Sequence, residues 1–462
     1  RTFRSPFVGS PVLDSYAQQR DVVVIGGGFA GLAAAVDLAA AGLNVTVLES
    51  RPYLGGRAYS FRDDETGEVV DNGQHAMMGC YHHTLAFLDR IGAADKVTRQ
   101  PNLRVEMRRP DQRSGTIAAS ALPSPLHAAV AIARYRLLSH AERRRALLGG
   151  LRLLAMHRRR DIRLRQETVE QVLVALRQSD NARACFWDPV AIATLNEIPS
   201  RAAAAPFAEV IARAFFATRL DSQFVFARVG LSDLYTVDAR RFIESRGGKV
   251  ELRAAVTDVE CDDDRVAAVR LRDGRRIKAA AFISAVPPRV LDVILPGVVH
   301  AGDFPSSPIV SAHLWLDRAV MDAAFFGCVG TTTQYVFNRD VLAPQESYSR
   351  GGQYLSAVIS AGYDVVEWDT ARIADAVLND LRKLLPKARD ARIVRRVIVK
   401  EKHATISTTP DVDRRRPSTR TAFANFFLAG DWTQTGLPAT IEGAVVSGNR
   451  SAALVAALLG AQ

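Results

Sequence analysis

Glu49, Arg57 and Asp431 are three charged residues whose surroundings are built for binding chemistry. Glu49 ends the stretch DVVVIGGGFAGLAAAVDLAAAGLNVTVLE, 18 residues after the last glycine of Gly26-x-Gly28-x-x-Gly31. At that spacing a carboxylate accepts from a ribose hydroxyl and repels a 2′-phosphate. Arg57 follows Gly55 and Gly56 in RPYLGGRAYSF, a sharp turn on which a cation can serve a pyrophosphate. Asp431 closes the apolar run FFLAGD, just ahead of the chain breakers Gly436 and Pro438.

The elements that must position these groups follow from local pattern. Val22 to Ile25 reads as a buried strand, Ala30 to Ala41 as a helix stopped by Gly42, and the run into Glu49 as a second strand. This is a βαβ unit. Its glycines permit a tight turn, close approach of backbone to a pyrophosphate, and close packing of helix on strand, with the phosphates meeting the helix N-terminus near Ala30. At the other end of the chain, Phe426 to Gly430 reads as a short strand and Thr440 to Leu459 as a helix. Ala444, Gly448 and Ala452 recur every four residues there, with Gly443 and Ser447 alongside, so one helix face has almost no bulk. Tight packing against the rest of the protein is one use for such a face. The other is a seat for a cofactor. FAD is long enough to be anchored at residues 26 to 57 and to run its flavin end under a helix entered through Gly430 and Asp431. The expectation is that the small-residue face and the first amides of the helix seat the ribityl chain and the ring.

At 462 residues the chain predicts two or three domains, and with 48% apolar residues it has material for their cores. Cys80, Cys185, Cys261 and Cys328 are scattered, which fits a reducing compartment and neither a disulfide framework nor a metal site. No apolar run reaches membrane-spanning length, and the first twenty residues lack the apolar core of a signal peptide. The formal charge of +11 is concentrated: Arg134 to Arg165 holds eleven arginines against Glu142 and Asp161, interleaved with leucines and preceded by ALPSPLHAAVAIA. Residues 120–165 therefore read as a helical segment able to lie on an anionic membrane surface. The plainer alternative is a solvated face in a chain where arginine outnumbers lysine 53 to 7. No nucleic-acid motif accompanies the charge.

Residues 235 to 285 return to α/β character: a helix ending at Gly247 and Gly248, KVELRAAVTDVE as a strand, two alternating strands joined at Asp273 and Gly274, and AAFISAVPP as another strand. The fold expected is α/β, a Rossmann-like FAD-binding domain of the glutathione reductase and amine oxidase type. Residues 21–100, 232–300 and 418–462 form it, interleaved with a substrate-binding domain of residues 101–231 and 301–417. No second GxGxxG exists, so a built-in NAD(P)H domain is not evident and an external electron donor is expected.

Beyond these generic signals, four stretches resemble a particular family: DNGQHAMMGCY from Asp71, FWDPVAIATLNE from Phe186, RVGLSDLY from Arg228, and LAGDWTQTGLPATIEGAVVSG from Leu428. Within the amine oxidase and phytoene desaturase superfamily the chain is similar, from about residue 21 to its end, to the hydroxysqualene dehydroxylases of bacterial hopanoid synthesis. The FWDP to LNE segment discriminates most, and Ala227 departs from the proline expected before RVGLSDL. The resemblance implies an FAD enzyme that converts hydroxysqualene to squalene by loss of the hydroxyl and hydride delivery from reduced flavin. A cytoplasmic protein, peripheral on the inner face of the membrane, would suit such a substrate. A carotenoid-type desaturase, a flavin amine oxidase and a non-catalytic membrane-binding module are the rivals. Family matching repeats the assignment of Gly26, Gly28, Ala30, Gly31, Glu49, Gly56, Arg57, Gly430 and Asp431 to FAD. It adds Val256 near the adenine, Gln74 and His75 near the flavin, and Thr440 and Ile441 at the ring. For the general acid it offers His75, Asn196 and Asp233. Each has a structural reading beside it: a satisfied core histidine, a turn former and a helix N-cap.

Overall fold

The computed structural model describes residues 20–344 and 351–461; the N-terminal stretch read above for its lack of a signal core lies, Arg20 apart, outside them. The apolar run after Asp21 is buried on both sides, as strands of a parallel sheet covered on both faces must be. Asp21–Ile25 is the middle of five parallel strands in the order Lys249–Glu251, Asn44–Leu48, Asp21–Ile25, Ala281–Ser284, Phe426–Leu428. The first strand is thus flanked by one partner close in sequence and one more than 250 residues away.

The helix Phe29–Ala40 and the C-terminal helix Ile441–Leu458 pack against each other on one side of this sheet. Their closeness explains the missing bulk on the second. A Cβ at Gly448 would strike the Ala30 carbonyl oxygen and lie 3.2 Å from the Ala34 nitrogen. Ser447 accepts from the Gly430 amide at 2.7 Å, and Ser451 donates to the Leu428 carbonyl at 2.8 Å. The small-residue face is therefore occupied by helix and strand backbone. The expectation that this face seats the flavin is corrected: only the first turn of the helix is left for a cofactor.

A second correction concerns KVELRAAVTDVE. Lys249–Glu251 belongs to the parallel sheet, whereas Val256–Asp262 opens a separate antiparallel sheet with Arg265–Leu271 and Arg276–Ile277. Between them Arg253 has φ 57°, and this left-handed residue turns the chain out of one sheet and into the other.

The largest sheet has seven strands in the order Ile393–Ile406, Ser306–Leu316, Gln353–Ser360, Tyr335–Asn338, Phe325–Cys328, Arg104–Arg108, Ser114–Ala118. Its 14-residue outer strand reaches back to the cofactor side, where the Ala404 carbonyl accepts from Arg57 at 2.9 Å. A small sheet of Ala76–Met78, Phe224–Ala227 and Val97–Arg99 bridges the DNGQH segment to the helical region. Ala227, the residue that departs from the family pattern, ends its middle strand opposite Val97.

The basic segment folds as helix Leu126–Ala133 followed by helix His140–Arg158, the latter started by a capping box between Ser139 and Glu142. Ala146, Gly149, Gly150 and Leu153 face inward. Arg144, Arg145, Leu148, Leu151, Arg152, Ala155, Arg158 and Arg159 are all exposed, and their spacing lines them along one stripe. Leu148 and Leu151 are about half exposed, at 48% and 51%. Among the described residues no helix is long and apolar enough to cross a membrane.

Candidate active site

The glycine loop and the turn after Glu49 are built against one another, backbone on backbone. Gly26 has φ 107°, and its amide donates to the Leu48 carbonyl at 2.8 Å. A Cβ on Gly31 would collide with the Gly26 carbonyl oxygen, and one on Gly56 would come within 3.1 Å of Gly28 Cα. Neither a side chain nor a longer loop fits between these strands of chain. Gly28 is the N-cap of helix Phe29–Ala40, and neither a capping side chain nor a first-turn acid serves that end. The leading amides, Ala30 among them, are thus left for an external anion.

Glu49 is 6% exposed and held in place by three donors. Oε2 accepts from the Gly27 amide at 2.8 Å, and Oε1 accepts from Ser50 Oγ at 3.1 Å and the Arg51 amide at 2.9 Å. A carboxylate has about four acceptor positions, so one remains for a ribose hydroxyl. Val256 is half-buried on the same flank, since the chain leading to it is laced to this loop: Ala254 donates to the Glu49 carbonyl at 2.8 Å and Arg253 to Arg51 at 3.0 Å.

Arg57 and Asp431, 374 residues apart, meet through Nη2 and Oδ1 at 2.5 Å. Asp431 is 5% exposed and Arg57 keeps a third of its side chain accessible. Gly430 precedes the acid at φ 137°, and Thr440 caps the C-terminal helix by accepting from the Gly443 amide at 3.2 Å, with Ile441 as its first residue. Sequence reasoning missed what holds this loop. Arg416, buried to 4% exposure, donates to the carbonyls of Asp431, Thr433 and Leu437 at 2.6–2.8 Å. It also missed Glu442, whose carboxylate accepts from the His83 and Thr84 amides and so caps helix His82–Arg90 from outside. No local pattern marks either residue, because their partners lie far off in sequence.

These parts fit FAD: a side-chain-free phosphate cradle at an uncapped helix N-terminus, a carboxylate with room for a ribose, and an Arg–Asp pair leading to a second helix start. Gly26, Gly28, Ala30, Gly31, Glu49, Gly56, Arg57, Val256, Gly430, Asp431, Thr440 and Ile441 would hold it.

The DNGQH segment crosses beneath the seven-stranded sheet. His75 is half-buried, and its Nδ1 lies 2.6 Å from the Gly73 carbonyl oxygen, which can only accept. Nδ1 therefore carries the hydrogen and Nε2 presents a lone pair. Burial pushes the imidazole pKa below its ordinary value, against the opposing pull of the Gly73 carbonyl and Asp71. Gln74 accepts at Oε1 from Arg339 Nη1 at 2.8 Å, and the same nitrogen is 3.2 Å from Asp71 Oδ2. Burial pushes the Asp71 carboxyl up while Arg339 pulls it back. His313, behind them, is driven down to about 3 by burial and by Arg339, which makes it a neutral spacer. Next to His75, Ala76 pairs with Phe226, the start of a pile of rings in which Phe224, Phe226, Phe325 and Phe337 stand 5.2–6.5 Å apart.

Two candidates for the general acid are corrected. Asn196 sits at φ 47° as the C-cap of helix Asp188–Leu195. Its amide donates to Ser307 O at 3.1 Å and Thr405 Oγ1 at 2.9 Å, and accepts from the Ala361 amide at 2.7 Å. A side chain committed on every side to fastening a helix to a sheet has no proton to offer. Glu197 beside it is equally engaged, by Tyr363 and Ser407, so the discriminating FWDP to LNE stretch works as a fastener. Asp233 is exposed in the first turn of helix Leu231–Glu244, whose N-cap is Gly230, so it is not the cap, and its carboxylate bears on the site only as a like charge that raises the Asp71 carboxyl.

A family model described as flavin containing amine oxidoreductase matches residues 29–456. The hydroxysqualene dehydroxylase of Rhodopseudomonas palustris is 28% identical over 95% of this chain and 99% of that protein. The 15-cis-phytoene desaturase of an Oncidium hybrid cultivar is 25% identical over 93% of this chain and 76% of that protein. In fold, an oxidoreductase from Methanosarcina mazei superposes with a TM-score of 0.72 at 17% identity, covering 93% of this chain and 99% of the other.

Proposed function

The chain belongs to the flavin containing amine oxidoreductase family, and from that premise we propose that it is an FAD-dependent hydroxysqualene dehydroxylase. The observation that carries this reading is the match to such an enzyme over nearly the whole of both chains, where the desaturase is covered only in part. Reduced FAD, when bound, supplies the hydride. The substrate's C–O bond breaks as its oxygen takes up a proton and leaves as water, and the carbon accepts the hydride, a two-electron reduction of the alcohol to squalene.

The chain's own work is to bring the proton, hold the hydrocarbon and keep water out. His75 is the titratable side chain assigned to the proton. Its Nε2 lone pair receives the substrate hydroxyl when neutral and donates when the ring is charged. Because burial depresses its pKa, the charged form accumulates only below the ordinary imidazole range, so turnover is expected to rise as the medium is made more acidic. The ring pile beginning at Phe226 offers an apolar wall for the chain of the substrate.

The test is anaerobic: the reduced holoenzyme receives hydroxysqualene in detergent while flavin absorbance and product mass are followed. Squalene formed in step with flavin oxidation supports the reading; flavin that stays reduced overturns it. His75→Ala with FAD retained should lose most of its turnover, and unchanged turnover removes His75 from the role.

The exposed arginine and leucine stripe is proposed to rest on an anionic membrane surface. A thirty-carbon substrate costs on the order of 20 kcal/mol to expose to water at ~0.8 kcal/mol per CH₂, which favours delivery from a bilayer. Each arginine at such a surface contributes about 1 kcal/mol. Arg152→Gln should weaken flotation with phosphatidylglycerol vesicles roughly fivefold and leave the weak binding to neutral vesicles unchanged. Equal binding to both vesicle types by the parent protein would sink this part of the proposal.

A further inference from the structure

Arg339 is 3% exposed and is followed in the chain by Asp340, which serves the Tyr354 amide. Its guanidinium reaches the segment that begins at Asp71, joining Asp71 Oδ2 and Gln74 Oε1. The other Asp71 oxygen accepts from the Leu231 amide at 2.9 Å, so the carboxylate is fixed at both ends. Buried ion pairs are weak sources of stability; their better attested use is to specify one arrangement among several. Here the arrangement specified is that of an amide.

A guanidinium has only donors. Facing Arg339, the Gln74 side chain has one admissible orientation, with Oε1 toward the arginine and Nε2 away from it. Nε2 carries two hydrogens, and among the described residues its one acceptor is the His75 carbonyl at 3.3 Å. One N–H is left without an acceptor among the described residues, on a side chain that is only half-buried and adjoins His75. Without the arginine the amide could flip, and an oxygen would take its place.

We propose that Arg339 is a positioning residue that holds Gln74 as a hydrogen-bond donor to an acceptor edge of the flavin ring. The proposal rests on the FAD reading and on the placement of Gln74 beside that ring. A donor at that edge stabilises the charge the ring gains on reduction, and an acceptor there opposes it. Asp71 and Arg339 carry opposite charges, so removing both together leaves the net charge of the corner unchanged and isolates the orientation of the amide. The electrostatic task matches the chemistry proposed above, in which the enzyme must be held reduced until the alcohol arrives.

The experiment is a midpoint-potential titration of purified holoenzyme against a reference dye, with FAD content measured on the same samples. Gln74→Leu removes the donor, and Asp71→Asn with Arg339→Met removes the clamp while keeping the site neutral. Each is expected to retain FAD and to lower the potential by about 30 mV, a tenfold loss in the equilibrium constant for reduction of a two-electron couple. Combining all three substitutions should lower it no further. A Gln74→Leu protein with the parental potential removes Gln74 from the ring. A shift in Gln74→Leu with none in the neutral clamp variant overturns the role of Arg339. Should the clamp variant fail to fold, Gln74→Glu keeps the bond to Arg339 and turns an acceptor outward, so its potential should fall below that of Gln74→Leu; an equal or higher value overturns the proposal. Loss of FAD by the parent protein itself would mark failure of the cofactor reading instead.

Discussion

The phosphate cradle and the corner under Gln74 are both partly enclosed, yet they are made of different material. The cradle is backbone: Gly26, Gly28, Gly31 and Gly56 approach so closely that their function is the absence of atoms. The corner is side chain: Asp71 and Gln74 from one segment meet Arg339, 265 residues from Gln74, and are specified by donors and acceptors. A backbone site tolerates no addition, whereas a side-chain site tolerates exchange at the cost of tuning. The two should therefore fail differently, the first by losing fold and cofactor, the second by keeping both and changing their behaviour.

Substitutions can break or sharpen that contrast. The largest effect is expected for Gly31→Ala, whose Cβ must displace the Gly26 carbonyl. About 3 kcal/mol of stability should be lost together with FAD, read by thermal melting and by absorbance per chain. A stable, fully loaded Gly31→Ala protein would mean the cradle is not built by close approach. Next, Asp431→Ala leaves Arg57 without its carboxylate and should weaken FAD binding roughly 100-fold, or about 2.7 kcal/mol, in a fluorescence titration. Full occupancy at equal affinity would remove the pair from the cofactor site. Asn196→Ala tests the boundary of the corner. It should cost about 2 kcal/mol in a denaturant midpoint, through the Ala361 amide left without its acceptor, while turnover per bound flavin stays level. A drop in turnover without loss of stability would restore Asn196 to the catalytic set. The smallest effect belongs to Asp233→Asn, about 0.5 kcal/mol from weakened helix-terminus electrostatics, with unchanged kinetics.

What was legible in the sequence divides along the same line. The βαβ unit, Glu49 and the strand–turn–helix around Asp431 obey local rules of spacing, and the structure places them within a residue or two of expectation. That Arg57 and Asp431 stand side by side was inferred from the length of a cofactor, and the two are in contact. The small-residue stripe was read correctly as a close approach but given the wrong neighbour. Periodicity reports that something is near, and whether it is Ala30 or a ring depends on how two helices cross. KVELRAAVTDVE failed because alternation continues through Arg253, whose positive φ has no signature in an arginine. Arg339, Arg416 and Glu442 stayed hidden for a different reason: each acts through atoms far along the chain, and a lone charge in sequence does not say whom it will meet.

The ion pair between Arg57 and Asp431 also sets a clock on the birth of the protein. A nascent chain lengthens by about 5–20 residues per second, so with 374 residues between the partners Arg57 waits roughly 20–75 s for its carboxylate to be made. During that interval the glycine cradle can exist, but its far wall cannot, nor can the last strand of the parallel sheet. With the pair holding the cofactor, capture would be deferred to the end of synthesis, and a chain cut short before Asp431 would carry the dinucleotide fingerprint without that hold on a flavin.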